Sequence, residues 1–155
     1  VGVARASLDL EEGTRVSYEF FDHTGDIGVR VSGATVEELF ADAATALTAT
    51  LVDLATVQCR AREWVGLEAP SLELLLVDWL NDLVFRFDVD EWLVARATPR
   101  ISDQDGGWKL EAAIEGESVD PARHHVRLLI KGVTYHQLAI TQTSNGFETT
   151  VIFDI

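Results

Sequence analysis

Residues Ser71 to Val89 read SLELLLVDWLNDLVFRFDV, and the spacing of their apolar side chains decides the fold. Leu72, Leu75, Leu76, Trp79, Leu80, Leu83, Val84 and Phe87 recur at three- and four-residue steps, which puts them in one wide stripe along an α-helix. Ser71 offers an N-cap hydroxyl directly after Pro70, and Asp78, Asn81 and Asp82 mark the wetter side. Burying a leucine or phenylalanine contributes roughly 1.5 to 3 kcal/mol before chain entropy is set against it. This helix is therefore expected to be the main packing partner of a sheet, with its aromatics in the core rather than around a cofactor.

The flanking sequence supplies that sheet. Upstream, Val57, Cys59, Ala61, Val65 and Leu67 alternate with Arg60, Arg62 and Glu68, the period of a half-buried strand that Pro70 ends. Before it, Thr35 and Glu38 form a capping-box pattern. Val36, Leu39, Phe40, Ala43, Ala44, Leu47 and Leu51 follow at helical spacing, so a first helix is expected from about Val36 to Thr50. Val16 to Asp22 and Ile27 to Ser32 read as short strands. Downstream, Leu93 to Ile101 and Trp108 to Glu115 read as a hairpin around Asp105-Gly106-Gly107. His124 to Tyr135 and His136 to Gln142 read as extended runs, and Ser144-Asn145-Gly146 turns into a last strand, Phe147 to Asp154. Strands joined by short turns pair antiparallel, so the expected class is α+β: one domain, a two-layer sandwich of a largely antiparallel sheet and two main helices. Residues 1–15 are set aside as an N-terminal extension.

With 155 residues, 47% of them hydrophobic, the chain can bury a core without disulfides, and Cys59 is its only cysteine. A buried, inert thiol and a reducing cytoplasm are the expectation. No apolar run is long enough to span a bilayer, and no secretory signal is visible at the start. Asp and Glu number 26 against 12 Lys and Arg, a formal charge of -14, with Lys109 and Lys131 the only lysines. Such a surface repels a phosphate backbone, so direct nucleic-acid binding is not expected, whereas a basic protein partner would be attracted.

Phe20 to Gly28, FFDHTGDIG, concentrates ionisable groups in a break between strands. Asp22, Thr24 and Asp26 suit self-bonded turns, but a chain ending Phe153-Asp154-Ile155 brings a side-chain carboxylate and an α-carboxylate to the mouth of a strand, where they could meet Asp26. Motifs of common hydrolases and transferases are absent: there is no G-x-S-x-G, P-loop, H-E-x-x-H or dinucleotide fingerprint. His23 and His136 have the chemistry of metal ligands or general bases, although a turn histidine and a strand histidine ordinarily satisfy hydrogen bonds. Lys131 reads either as a snorkelling strand lysine or as a partner contact.

His23-Thr24-Gly25-Asp26-Ile27-Gly28, the stretch LLVDWLNDLVFRFDV from Leu75 to Val89, Lys131-Gly132-Val133-Thr134-Tyr135-His136 and the terminal Phe153-Asp154-Ile155 together resemble the archease family, in order and in spacing, from Tyr18 onward. Gly25 departs from the family's commoner alanine. The resemblance implies a non-catalytic cofactor that promotes guanylylation and repeated turnover of an RtcB-type GTP-dependent RNA ligase in tRNA splicing. A chaperone-like role toward RNA-modifying enzymes is the alternative, with a metal-dependent hydrolase behind it. It also implies a site for calcium or another divalent cation on Asp26, Asp154 and the terminal carboxylate of Ile155, ligands whose hard oxygens suit such an ion. Lys131, His23 and His136 complete the implied functional patch.

Overall fold

A computed structural model of the chain describes residues 3–5, 8–9, 15–16, 18–23, 25–135 and 138–155; for 3–16, 22 and 23 only the main chain is described. The strands are β1 (Val3–Arg5), β2 (Leu8–Asp9), β3 (Arg15–Val16), β4 (Tyr18–His23), β5 (Asp26–Gly33), β6 (Ala61–Ala69), β7 (Trp92–Gln104), β8 (Gly107–Ser118), β9 (Gly132–Thr134), β10 (Thr141–Thr143) and β11 (Gly146–Asp154). The helices are α1 (Val36–Leu51) and α2 (Leu72–Asp90), with a short 3-10 turn at Leu54–Thr56. The class is α+β, and the described ladders are antiparallel.

The strands divide between two principal sheets. The larger runs β1-β4-β5-β11-β10, with β9 also on β11; the smaller runs β6-β8-β7; β2 and β3 pair separately. Three residues from the segment set aside as an extension, Val3–Arg5, thus pair with Glu19–Phe21. The expected packing role of α2 is shared: α1 lies against β5 and β11 of one sheet and β7 of the other, while α2 lies against the three strands of the smaller sheet and β9.

Local chemistry explains where the helices start and stop. The Thr35 hydroxyl accepts the Glu38 N–H at 3.1 Å, and the Ser71 hydroxyl accepts that of Leu74 at 3.1 Å, each satisfying an end donor the helix cannot. Helix α2 ends where Glu91 turns left-handed at φ 52°, donating its N–H to the Phe87 carbonyl. All of the predicted stripe except Leu72 is buried, and Leu72 packs against the core from a half-buried position. Trp79 is fully buried and hands its indole N–H to the Phe40 carbonyl at 3.0 Å, so burial of the ring leaves no orphan donor and ties α2 to α1. In β7 the register slips between Val94 and Arg96, and the Thr48 hydroxyl takes the Val94 carbonyl at 2.7 Å beside that bulge.

Two expectations change. Cys59 is exposed; β6 begins at Ala61 and not at Val57, and of the irregular residues 57–60 only Val57 turns inward. The run from His124 to Tyr135 forms ladder bonds only at Gly132–Thr134, and 138–140 have no strand, with β10 restricted to Thr141–Thr143. Helix α2 supplies some of the bonding instead: Glu73 takes the Ile140 N–H, while Asn81 takes both main-chain groups of Val133 within β9 itself. His136 and Gln137 lie outside the described residues.

Candidate functional site

Strand register assembles the site. The break in the FFDHTGDIG stretch is a two-residue connection, with His23 opposite Asp26 and Gly25 at φ +74°, a conformation glycine adopts without the penalty a side chain would bring. Two residues into β5, Gly28 faces Phe21, whose ring occupies the place of a side chain: a Cβ on Gly28 would meet it at 2.3 Å. The aromatic covers the glycine and holds the hairpin in register.

On the other side of β5 lies β11, and their register places Asp154 directly opposite Asp26. Asp154 also faces Gly132 of β9, and the Lys131 N–H donates to the Asp154 carbonyl at 2.7 Å. The main chains of His23, Asp26, Asp154 and Gly132 therefore form one row across β4, β5, β11 and β9, at the end of the sheet where the chain terminates. The register thus brings Asp26 and Asp154 together across 128 positions of sequence.

Opposed residues of an antiparallel pair share a face, with Cα atoms about 4.5 to 5.5 Å apart, and like charges in that relation repel. Asp154 is exposed and Asp26 half-buried. Two carboxylates held this way match a hard cation in charge and in ligand type, and Ile155, which follows Asp154 and packs partly against the core, keeps its terminal carboxylate at the same end. Among the described residues no three His, Cys, Asp or Glu side chains gather as a metal site. The Lys131 side chain is exposed beside this row; the side chain of His23 and all of His136 lie outside the described residues.

A second ionic cluster, which sequence analysis missed, is structural in its geometry. Glu117, at the end of β8 and 4% exposed, accepts from the Gln58 N–H at 2.7 Å and from the two terminal nitrogens of Arg123 at 2.6 and 3.1 Å, and pairs with Arg60 at 3.1 Å. His124 is buried; its Nδ1 accepts the Asp120 N–H at 2.8 Å, so Nε2 carries the proton toward Glu117 and the Thr56 carbonyl, both at 3.1 Å. The Arg123 guanidinium holds the Glu117 carboxyl down at about 2 against the cost of burial. These bonds clamp the turn after β8 to the 3-10 turn after α1. The partners come from two segments, 56–60 and 120–124, and the first of them is far from Glu117 in sequence.

Comparison with known proteins gives the family and the fold. The profile described as "Archease protein family (MTH1598/TM1083)" matches residues 18–155. The chain is 37% identical over 139 residues to the Protein archease of Methanosarcina mazei, covering 89% of this chain and 95% of that one. It is 30% identical over 129 residues to the Protein archease of Pyrococcus furiosus, covering 83% and 91%. The solution structure of Methanobacterium thermoautotrophicum protein 1598 superposes with a TM-score of 0.76 at 29% identity, covering 89% of this chain and 98% of that chain.

Proposed function

The chain belongs to the archease family, and from that premise we propose that it is a non-catalytic activator of an RtcB-type RNA ligase, acting through the row that contains Asp26 and Asp154. The observation that carries this reading is the cross-strand opposition of the two aspartates, with Lys131 bonded to the main chain of Asp154. Opposed carboxylates at one end of a sheet suit a divalent cation or a basic partner in charge. Asp26, Asp154 and the Ile155 carboxylate would hold a divalent cation such as calcium, which when bound supplies the countercharge for that end. Lys131 adds a point charge suited to a phosphate or an acidic side chain of the ligase. The activator biases a metal-loading or conformational step of the ligase while the nucleophile and the GTP chemistry stay with the ligase.

Single-turnover guanylylation of the ligase with labelled GTP tests the reading. The wild-type protein is expected to raise the rate, and Asp26→Ala, Lys131→Ala and Asp154→Ala to lower it at saturating concentration with unchanged melting temperatures. A ligase whose guanylylation is indifferent to the wild-type protein would refute the function, and wild-type rates in all three folded variants would refute the site.

A further inference from the structure

Helix α2 and the chain that runs back along it leave an apolar surface uncovered. Three ties set the course of that chain: Val119 N–H to the Glu91 carbonyl, Asn81 to both main-chain groups of Val133, and Ile140 N–H to the Glu73 carboxylate. The chain from Val119 to Ile140 therefore runs back in the sense opposite to α2, and between these ties Arg127 N–H is held by the Leu51 carbonyl at the end of α1. Phe85 and Val89, one and two turns beyond Asn81, point outward with Phe85 63% exposed. Val126, Leu128 and Leu129 are exposed on the segment, Leu129 at 65%, while Ile130 turns into the core and anchors it.

The backbone of this segment is as open as its side chains. Among the described residues, the main chain of 125–130 makes one hydrogen bond, Arg127 N–H to the Leu51 carbonyl at 2.8 Å. An extended stretch with unpaired N–H and C=O groups and exposed leucines is a template for another strand. It runs directly into Lys131, whose N–H is on Asp154, so whatever lies on it reaches the candidate site. The helix side of the surface carries exposed Asp78, Asp88 and Asp90, the strand side Arg127 and Lys131, on a molecule of net charge -14. Long-range attraction therefore favours a basic partner, and the acidic border favours its cations on the helix side.

We propose that 125–130 is a strand-addition site for an extended segment of the ligase bearing alternate apolar residues and Lys or Arg. This rests on the proposed function for the identity of the partner. The test uses the full chain and the cognate ligase in three measurements: the dissociation constant by calorimetry, the concentration giving half-maximal guanylylation, and amide hydrogen exchange. Leu129→Asp and Leu128→Asp are each expected to raise both concentrations tenfold or more, with wild-type melting temperatures and a wild-type rate once saturated. In the complex, exchange of the Leu128 and Leu129 amides is expected to slow at least tenfold. Wild-type affinity in both variants while stimulation persists would overturn the docking site alone. Binding without stimulation by the wild-type protein would overturn the function alone. A wild-type dimer dissolved by both variants, with ligase affinity unaltered, would assign the surface to self-association and overturn the proposal.

Discussion

Replacing Glu117 by glutamine keeps the size of the side chain and removes its charge. The carboxylate receives a main-chain N–H from Gln58, a two-pronged contact from Arg123, the His124 Nε2–H and an ion pair with Arg60. Hydrogen bonds to charged groups contribute about 1.5 to 3 kcal/mol each, but they do not add here, since Arg60 is 62% exposed and Arg123 32%, and water screens both. The amide of Glu117→Gln keeps one acceptor and turns an NH2 toward groups that only donate, so a net loss of about 2 kcal/mol is expected, or a fall of roughly 4 to 8 °C in melting temperature for a chain of this size. The pH dependence identifies the cause. Because the folded pKa, about 2, lies below the ordinary 4.5, the unfolded state binds more protons as pH falls between them. The contribution is complete above the unfolded value and is lost as pH falls through the folded one. Thermal or urea melts of wild type and Glu117→Gln at pH 7 and pH 3 are expected to show a gap that shrinks to under about half at pH 3. Equal stabilities at pH 7, or a gap of the same size at pH 3, would refute the clamp.

Asn81→Ala removes the side chain that bonds both main-chain groups of Val133; a loss of about 1 to 2 kcal/mol in denaturant titration and faster amide exchange over Gly132–Thr134 are expected, and unchanged exchange would show that β9 is held by its ladder alone. Gly116→Ala places a Cβ 1.8 Å from the Leu93 carbonyl oxygen at the β7 bulge, so a loss of about 3 kcal/mol or more is expected in the same titration, and near-wild-type stability would mean that the bulge relaxes freely. A fusion after Ile155 turns the α-carboxylate into a neutral amide and is expected to weaken calcium binding in calorimetry by about tenfold or more, whereas a fusion before Val1 leaves it unchanged; equal affinities would remove the terminus from the ligand set.

Legibility from sequence followed the range of the interactions. Both helices could be placed within a residue or so at their starts because Thr35 and Ser71 satisfy donors three residues away, and a periodicity of 3.6 is visible in any window long enough to hold two turns. The strands of the β7–β8 hairpin were equally plain, since their turn lies between them. Where the reading differed at 138–140, a contributor was Glu73 of a helix far upstream, whose carboxylate takes the Ile140 N–H that a strand would have used. Cys59 followed the alternation of its neighbours in sequence but is exposed, as are the first four residues of β6 after it, because the core covers this strand only from Val65 onward.

The candidate site divides in the same way. From the residues themselves came the concentration of carboxylates in FFDHTGDIG and at the terminus, the acidity that points to a basic partner, and the four ordered stretches that mark the family. Tertiary structure decided what lies opposite what: the β5–β11 ladder sets Asp26 against Asp154, and a slip of one residue would send one of the two carboxylates to the other face. It also decided the Glu117 clamp and the uncovered segment 125–130, neither of which has a local signature. Register and ion pairing depend on which distant segments the core brings together, and that is settled by packing over the whole chain rather than by the identity of any one neighbour.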